Sequence, residues 1–489
     1  MNIFRAGLAG PSPPVQTQRM KSILPWLAVG LIVTGCSSTR AVDHDYHDEI
    51  ARHPELAKSP ETSIVILVDG LSRELLATAM QEKLVPHIQT FFNVQGIEFA
   101  VARASFPSLT FPNLTSILTA SPVDVHGVFG NRIPTVDGVV DFQDISSWSE
   151  LYSKVKTKTV FDRLTERRQT AANFSFPFSD AGGTTVDQQA GLDNAIDYLE
   201  RDYAAIDLKT LQSVDVLLQQ NPPAHWPRFI FIHLIGVDAL EHDRGPNDKS
   251  VGDYLAELDR SLRTLFGAVR AAENAGHPVA TVLTADHGFA SIERDIALDN
   301  VAAIDGVRVI ADNRVAPIWV HEMRSEEKRQ EWINRLLRTP HLGWLFEKRG
   351  MTVHMYDAGG EKAAIELQPG HCSTSSWMAR VRLTAKDVRV TPATAEQQFF
   401  CADAFDRGTN LGKNNMSFMI PAVADYFYGP HSPDFLLIAD EHSEFSGQYR
   451  GNHGGLTSGE MLVPLLSHGV VLPKQVFPTW QLLNHLKLM

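Results

Sequence analysis

With 489 residues, 44% of them hydrophobic and 21% charged, the chain can bury a substantial core, and it shows neither low complexity nor an internal repeat. Its 44 basic against 57 acidic residues leave a formal net charge of -13, which argues against a surface built to grip a phosphate backbone, so polymeric nucleic acid is not an expected partner. Three cysteines with no CxxC pair argue against a thiolate metal site.

In chain order, the first element is a leader. Lys21 supplies a basic n-region, Ile23 to Val33 is an apolar stretch too short to span a bilayer comfortably, and Val33-Thr34-Gly35-Cys36 closes it. This closing segment resembles a bacterial lipoprotein lipobox, which implies that Cys36 becomes the lipidated first residue; an uncleaved anchor would not need small residues just before the cysteine. Met20 is a better start than Met1, because residues 1–19, with Pro11, Pro13 and Pro14, read as an upstream extension. Ser37 after the cysteine resembles the outer-membrane sorting signal of Gram-negative cells. The expected location is therefore the cell envelope, with the protein lipid-anchored at the periplasmic face of the outer membrane. In that oxidising compartment Cys372 and Cys401 remain as an even pair, either a disulfide or two buried free thiols. Residues 1–35 thus form the extension and signal peptide, and 36–62 the lipidated cysteine and a polar tether.

The folded domain is expected over 63–489. Apolar, β-branched runs near 63–68, 97–104, 229–235 and 279–284 alternate with helical patterns such as Tyr254 to Ala271. That alternation predicts an α/β fold, a three-layer α/β/α sandwich around a mainly parallel sheet. Two of the runs stop at an acidic residue at a segment's end: SIVILVDG at Asp69, and TVLTADHG at Asp286 and His287. FIFIHLIGVDALEHDRGP adds Asp238 and His242, four residues apart and so on one face of a helical turn, and GNHGG adds His453. Ligands of open α/β sheets gather where strands end. Separately, Asp69 could be a turn former or helix N-cap, and Asp238 and His242 a surface ion pair. Together they are six carboxylate and imidazole groups, a set that suits zinc, or less specifically manganese or iron, and that is too many for one ion. Thr110 in FPSLTFPN is a seventh candidate, a hydroxyl able to be both ligand and nucleophile, although Ser105, Ser108, Thr115 and Ser116 lie close by and spacing does not choose among them. His126, His225, His233, His371, His431 and His442 read as packing or surface residues, His233 as a neutral, hydrogen-bonded core histidine.

These motifs, over 64–131, 229–246, 279–290 and 451–466, resemble in residues and order the alkaline phosphatase superfamily, and within it the nucleotide pyrophosphatase/phosphodiesterase branch. The TFPN match selects Thr110 among the hydroxyls. The resemblance implies that Asp69, Thr110, Asp286 and His287 hold one divalent ion, and that Asp238, His242 and His453 hold a second. Asn131 in HGVFGN would donate to a phosphate oxygen, helped by a backbone N–H at the start of the helix after Thr110. Phe111 would stack a base or sugar, with Tyr198 and Tyr203 as further sides of such a slot; the plainer alternative is that Phe111 packs inward. The implied chemistry is hydrolysis of a small phosphodiester, nucleotide or lipid headgroup through a phospho-threonine intermediate, assisted by two metals.

Departures from the superfamily narrow the substrate. Its Thr-nucleophile monoesterases carry a Lys-x-Arg pair that contacts the phosphate, whereas FSFPFSDAGGTTVDQQAGLDN, between Phe174 and Asn194, has no basic residue. A monoester's extra negative charge wants such cations, so a diester is favoured unless Arg132 fills the role. The Cys/Ser-x-Pro-x-Arg motif of sulfatases is missing. HLIGVDALEHDRGP also resembles the ethanolamine-phosphate transferases of glycolipid anchors, which makes a phosphotransferase the second reading; a metal-containing surface lipoprotein that only binds is the third. From about 291 to 440 the pattern is mixed, with a charged helical stretch over Glu322 to Lys348 and strand-like ARVRL. It reads as a cap-like insertion with peripheral strands, after which PDFLLIAD is expected to return the chain to the core.

Overall fold

The computed structural model describes residues 62–489 apart from 176–185, 188–196, 369–379, 386–399, 402–415 and several stretches of one to three residues. Cys36, the tether, Tyr198 and Cys372 lie outside the described residues, and of Cys401 only the backbone pairing opposite Arg380 is described. No helix among the described residues is long and apolar enough to cross a membrane.

A seven-stranded sheet forms the centre. Its strands in chain order are β1 (Thr62–Val68), β2 (Ala100–Arg103), β3 (Ala171–Phe174), β4 (Val186–Asp187), β5 (Phe229–Leu234), β6 (Val279–Thr284) and β7 (Leu462–His468), arranged β2-β7-β6-β1-β5-β3-β4. Pairings β1/β5, β1/β6, β5/β3 and β3/β4 are parallel, and β7 alone runs against its neighbours β6 and β2. Every residue of β1 and β5 is buried. Buried parallel strands need apolar residues on both faces, and this explains why their sequences show unbroken runs instead of alternation.

Helices cover this sheet in two packed groups. One contains Tyr203–Gln220, Gly236–Arg244 and Lys249–Asn274; the other contains Thr110–Thr119, Val160–Glu166 and the C-terminal Leu482–His485. In Lys249–Asn274, Asp248 caps the first turn through Ser250 N–H, and Val251, Leu255, Leu258, Leu262, Leu265 and Val269 recur at three- and four-residue spacing along the buried stripe.

Residues 307–439 contribute a second, wholly antiparallel sheet of eight strands, in which Phe435–Ala439 lies third, between Val315–Val320 and Leu342–Arg349. Leu436 and Ile438 pack with the Met416–Phe427 helix and with Phe106 and Leu109, while Phe435, Leu437 and Ala439 pack with the Glu326–Leu336 helix. Two expectations change here. The stretch from Glu322 to Lys348 is not one helix: within its described part the helix ends at Leu336, and Leu342–Arg349 is a strand. Pro340 removes a donor and biases Thr339 away from helical backbone, and His341 takes φ 56, so the chain reverses into the sheet. PDFLLIAD does not rejoin the central sheet but supplies an interior strand of the second one; β7 is what rejoins the centre. A fully buried apolar run reads alike in either sheet. ARVRL falls on a strand, Arg380–Ala385, as expected.

His126 is a buried histidine whose protonation state is set by its partners. Val128 N–H donates to Nδ1 at 3.1 Å, so Nε2 carries the proton and donates to Ser116 Oγ at 2.9 Å. Burial pushes its pKa from 6.5 down to about 3. A depressed imidazole contributes stability that is present above 6.5 and is lost as pH falls towards 3, because the unfolded chain then binds the extra proton. In chelated protein, the difference in unfolding free energy between wild type and His126→Gln should therefore shrink by about 1.4 kcal/mol per pH unit below this midpoint. Urea titrations at several pH values measure it, and a constant difference would show that His126 does not stay neutral.

Candidate metal centre

The carboxyl ends of β1, β5 and β6 lie side by side, and Asp69, Asp238, His242, Asp286 and His287 occupy the residues that follow them, while Thr110 opens the helix after β2 and His453 follows the short strand Gly451–Asn452. Asp69 N–H extends the ladder to Leu234 O at 2.8 Å, and Asp238 N–H in turn donates to Asp69 O at 3.1 Å. Gly70 has φ 77, and a Cβ there would meet the Phe289 ring at 2.7 Å; a Cβ on Gly288 would meet Gly459 O at 2.1 Å. The glycines of the DG and DHG segments are thus required by backbone shape and close packing. Asp238 and His242 sit one turn apart on Gly236–Arg244, whose start is held by Asp207: its carboxylate accepts Ile235 N–H at 2.8 Å, Gly236 N–H at 2.9 Å and the Tyr254 hydroxyl. Pairing of Gly451–Asn452 with Ala290–Ser291 brings His453 beside His287.

The seven candidates converge in two adjoining groups. In the first, His287 Nε2 lies 3.3 Å from Asp286 Oδ2, 3.4 Å from Asp69 Oδ1 and 3.1 Å from Thr110 Oγ1. In the second, Asp238 Oδ1 lies 3.5 Å from His453 Nε2 and 3.6 Å from His242 Nε2, and the two imidazole nitrogens are 3.1 Å apart. The rings of His287 and His453 stack at 3.7 Å and 12° and join the groups. Ligands around a tetrahedral zinc are about 3.4 Å from one another, so these are coordination-edge distances.

The donor chemistry fits cations. Asp69 Oδ1, Asp286 Oδ2 and Asp238 Oδ1 are buried with no donor group reaching them, and the Asp69 and Asp286 carboxyls face each other. His453 Nδ1 faces Ser108 O at 2.8 Å, His242 Nδ1 faces Gly451 O at 3.0 Å and His287 Nδ1 faces Gly288 O at 3.3 Å. A carbonyl accepts only a proton, so each Nε2 turns a lone pair inward, with Asn313 Nδ2 at 3.3 Å from that of His453. Burial pushes Asp69 up to about 7, partly offset by the Asp286 contact, and drives Asp238 and Asp286 well above the usual carboxylate range; it pushes His242 down to about 4 and holds His287 and His453 well below the usual imidazole range. Inward lone pairs and buried carboxylates repel one another until divalent cations lie between them.

Residues 63–461 match the family model described as type I phosphodiesterase/nucleotide pyrophosphatase. The chain belongs to that family. It is 24% identical over 239 residues to the bis(5'-adenosyl)-triphosphatase enpp4 of Xenopus laevis, covering 48% of this chain and 50% of that protein. It is 22% identical over 232 residues to the GPI ethanolamine phosphate transferase 2 catalytic subunit of Homo sapiens, covering 46% of this chain and 21% of that protein. The chain therefore spans half or less of these two relatives. Among solved structures, phosphonoacetate hydrolase from Sinorhizobium meliloti and murine ectonucleotide pyrophosphatase/phosphodiesterase 5 each superpose with TM-score 0.54 over 87% of this chain and 94% of theirs, at 17% and 14% identity. They share the alkaline phosphatase-like fold.

Within this family member, geometry separates the hydroxyls that spacing left open. Ser108 Oγ donates to Gly455 O at 2.9 Å, Thr115 Oγ1 to Phe111 O at 2.7 Å, Ser116 pairs with His126, and Ser105 Oγ is buried without a partner; Thr110 is the one that touches His287. The loop before Thr110 is held by Asn113, whose Nδ2 reaches Ser105, Pro107 and Leu109 carbonyls at 3.1, 3.0 and 2.9 Å. Asn131 Oδ1 accepts Phe111 N–H at 3.1 Å, leaving Nδ2 as the end able to donate. That N–H is thus already occupied in positioning Asn131, a change from its expected place as a second phosphate donor. The Phe111 ring is 5% exposed and packs on Phe142 at 5.5 Å, so packing inward is the arrangement observed. Tyr203 is half-buried, and burial raises its hydroxyl pKa, opposed by the Arg201 charge and helped by those of Asp243 and Asp238. Tyr449, which sequence reasoning missed, lies 4.3 Å from the His242 ring. Glu241 was missed as well: it is fully buried between Asp238 and His242 in sequence, neither oxygen has a partner, and burial drives it well above the usual range. An acid embedded in VDALEHD was the available signal.

Proposed function

We propose that the protein hydrolyses phosphodiester or phosphoanhydride bonds with Thr110 as nucleophile. The observation that carries this reading is the convergence of three donor-less carboxylate oxygens and three inward imidazole nitrogens in two adjoining groups, the first of which includes the Thr110 hydroxyl. Asp69, Thr110, Asp286 and His287 would hold one divalent ion and Asp238, His242 and His453 another, zinc by donor type; when bound, these ions supply the charge that activates an oxygen nucleophile and stabilises attacking and leaving oxygens. Thr110 Oγ forms a bond to phosphorus as the bond to the leaving oxygen breaks in line, and water then cleaves the phospho-threonine. Two inversions give net retention. Asn131 Nδ2 donates to a non-bridging oxygen.

A diester is favoured because the cation nearest in sequence to Asn131 is already committed. Arg132 Nη1 donates to Ala311 O at 2.8 Å and Nε pairs with Asp141 at 3.2 Å. Zinc-loaded protein spanning 37–489 is expected to turn over bis(p-nitrophenyl) phosphate at least about tenfold faster, in kcat/KM, than p-nitrophenyl phosphate. Preference for the monoester would overturn the diester assignment, and silence toward both esters with zinc bound would favour a protein that only binds. The similarity to the human transferase supports a second reading, phosphotransfer; transfer to an added sugar or alcohol that outcompetes release to water is the result that would select it.

A further inference from the structure

His233 was expected to be a core histidine, and it is buried and hydrogen-bonded, but its partners give it a specific task. Three neighbouring strands place three side chains in a line along the carboxyl edge of the sheet: Asp69 after β1, His233 in β5 and Ser175 after β3. His233 Nε2 lies 2.8 Å from Asp69 Oδ2 and its Nδ1 lies 3.3 Å from Ser175 Oγ; His233 is 2% exposed and Ser175 not at all. A carboxylate oxygen accepts only a proton, so in the neutral ring Nε2 carries the hydrogen and Nδ1 accepts the Ser175 hydroxyl. This tautomer is the reverse of the one that the carbonyls impose on His242, His287 and His453.

We infer that His233, oriented by Ser175, is a positioning residue that holds Asp69 Oδ2 so that Oδ1 alone faces the metal position beside His287. This rests on the reading of Asp69 as a ligand. The two oxygens are treated differently by the fold: Oδ2 has a buried donor, while Oδ1 has none and lies 3.4 Å from His287 Nε2. Without His233 the carboxyl could rotate about its terminal torsion, or take a proton on Oδ2, and the preset ligand would be lost. Partners of this kind typically account for 10- to 100-fold in metal affinity.

The test uses full-length protein, zinc titrated against a competing chromogenic chelator, and the unfolding temperature of the chelated form. His233→Ala is expected to weaken one of two zinc sites by about 10- to 100-fold. His233→Gln, whose amide Nε2 donor stands near the lost imidazole Nε2, should recover most of that loss, and Ser175→Ala should fall between. If His233→Ala lowers the unfolding temperature of chelated protein yet binds both zinc ions with wild-type affinity, His233 is only a packing residue and the inference is wrong. If His233→Gln is as weak as His233→Ala although its chelated form is as stable as wild type, the hydrogen bond is not the cause and the inference is also overturned. Wild-type protein that takes up no zinc would be a different failure, that of the metal-centre reading itself.

Discussion

Replacing Thr110 by alanine is expected to lower kcat for bis(p-nitrophenyl) phosphate by about 10³-fold or more while leaving two zinc ions bound. Among the described residues, Thr110 Oγ1 is the hydroxyl that reaches His287 Nε2, at 3.1 Å, and the side chain stands at the first residue of its helix, where backbone and Asn113 contacts fix its direction. Asp69, Asp286 and His287 remain as ligands in the variant, so loss of the nucleophile separates from loss of the metal. Thr110→Ser keeps the oxygen and should retain measurable turnover. Parallel zinc analysis and steady-state kinetics measure both effects. Mutant activity equal to wild type would discard Thr110 and return the choice to a water nucleophile.

Asp286→Asn should move activity and stability in opposite directions. Asp286 is completely buried, its Oδ2 lies 3.3 Å from His287 Nε2 with no donor, and the Asp69 carboxyl adds to the burial that raises its pKa. In chelated protein near neutral pH this residue costs free energy, because the fold must either bury a charge or hold a proton the unfolded chain would release. A raised carboxyl contributes stability that is fully present below its unfolded pKa and is lost as pH rises towards the folded value. Asparagine keeps an oxygen for Gly70 N–H, which Oδ1 now accepts at 3.3 Å, and offers an amide donor to the His287 lone pair. The chelated variant is therefore expected to be more stable than chelated wild type by about 1–3 kcal/mol at pH 8, with the gap closing towards pH 4. With zinc present the order reverses, since the variant should bind one ion where wild type binds two, and diester hydrolysis should fall by about 10³-fold. Urea unfolding with and without zinc measures the first pair of effects, and metal counting the last. A chelated variant that is less stable than wild type at pH 8 would mark Asp286 as scaffold.

The two predictions concern residues that differ in how local their signals are. Asp286 and His287 end a buried strand and precede a glycine whose Cβ would clash, so composition, order and chain punctuation within eight residues were enough to single them out. Asp69 and the one-turn pair Asp238 and His242 each had a plainer local reading, a turn former and a surface ion pair, and stood out only as members of the set. Thr110 needed more: five hydroxyls share its neighbourhood, and only the approach of β6 from far along the chain decides which of them meets His287. Phe111 had two equally local readings, and only tertiary structure places its ring against Phe142.

What the amino-acid order determined by itself was the periodic and terminal information: runs that must be buried, strand ends that must surface, and therefore an α/β sandwich with acidic and imidazole groups at one edge. Tertiary structure alone decided matters of pairing. PDFLLIAD became an interior strand of a second sheet because an apolar run does not specify which sheet it joins, and the helix expected up to Lys348 stopped early because strand partners on both sides of Leu342–Arg349 outweigh local helical preference. His233 gained its place beside Asp69 through a hydrogen bond between adjacent strands 164 residues apart, and Asp207, on a helix, gained its place at the start of Gly236–Arg244 by accepting the Ile235 and Gly236 N–H groups. Burial patterns repeat along a chain and can be read from it, whereas a hydrogen bond between distant segments leaves no periodic trace in the sequence.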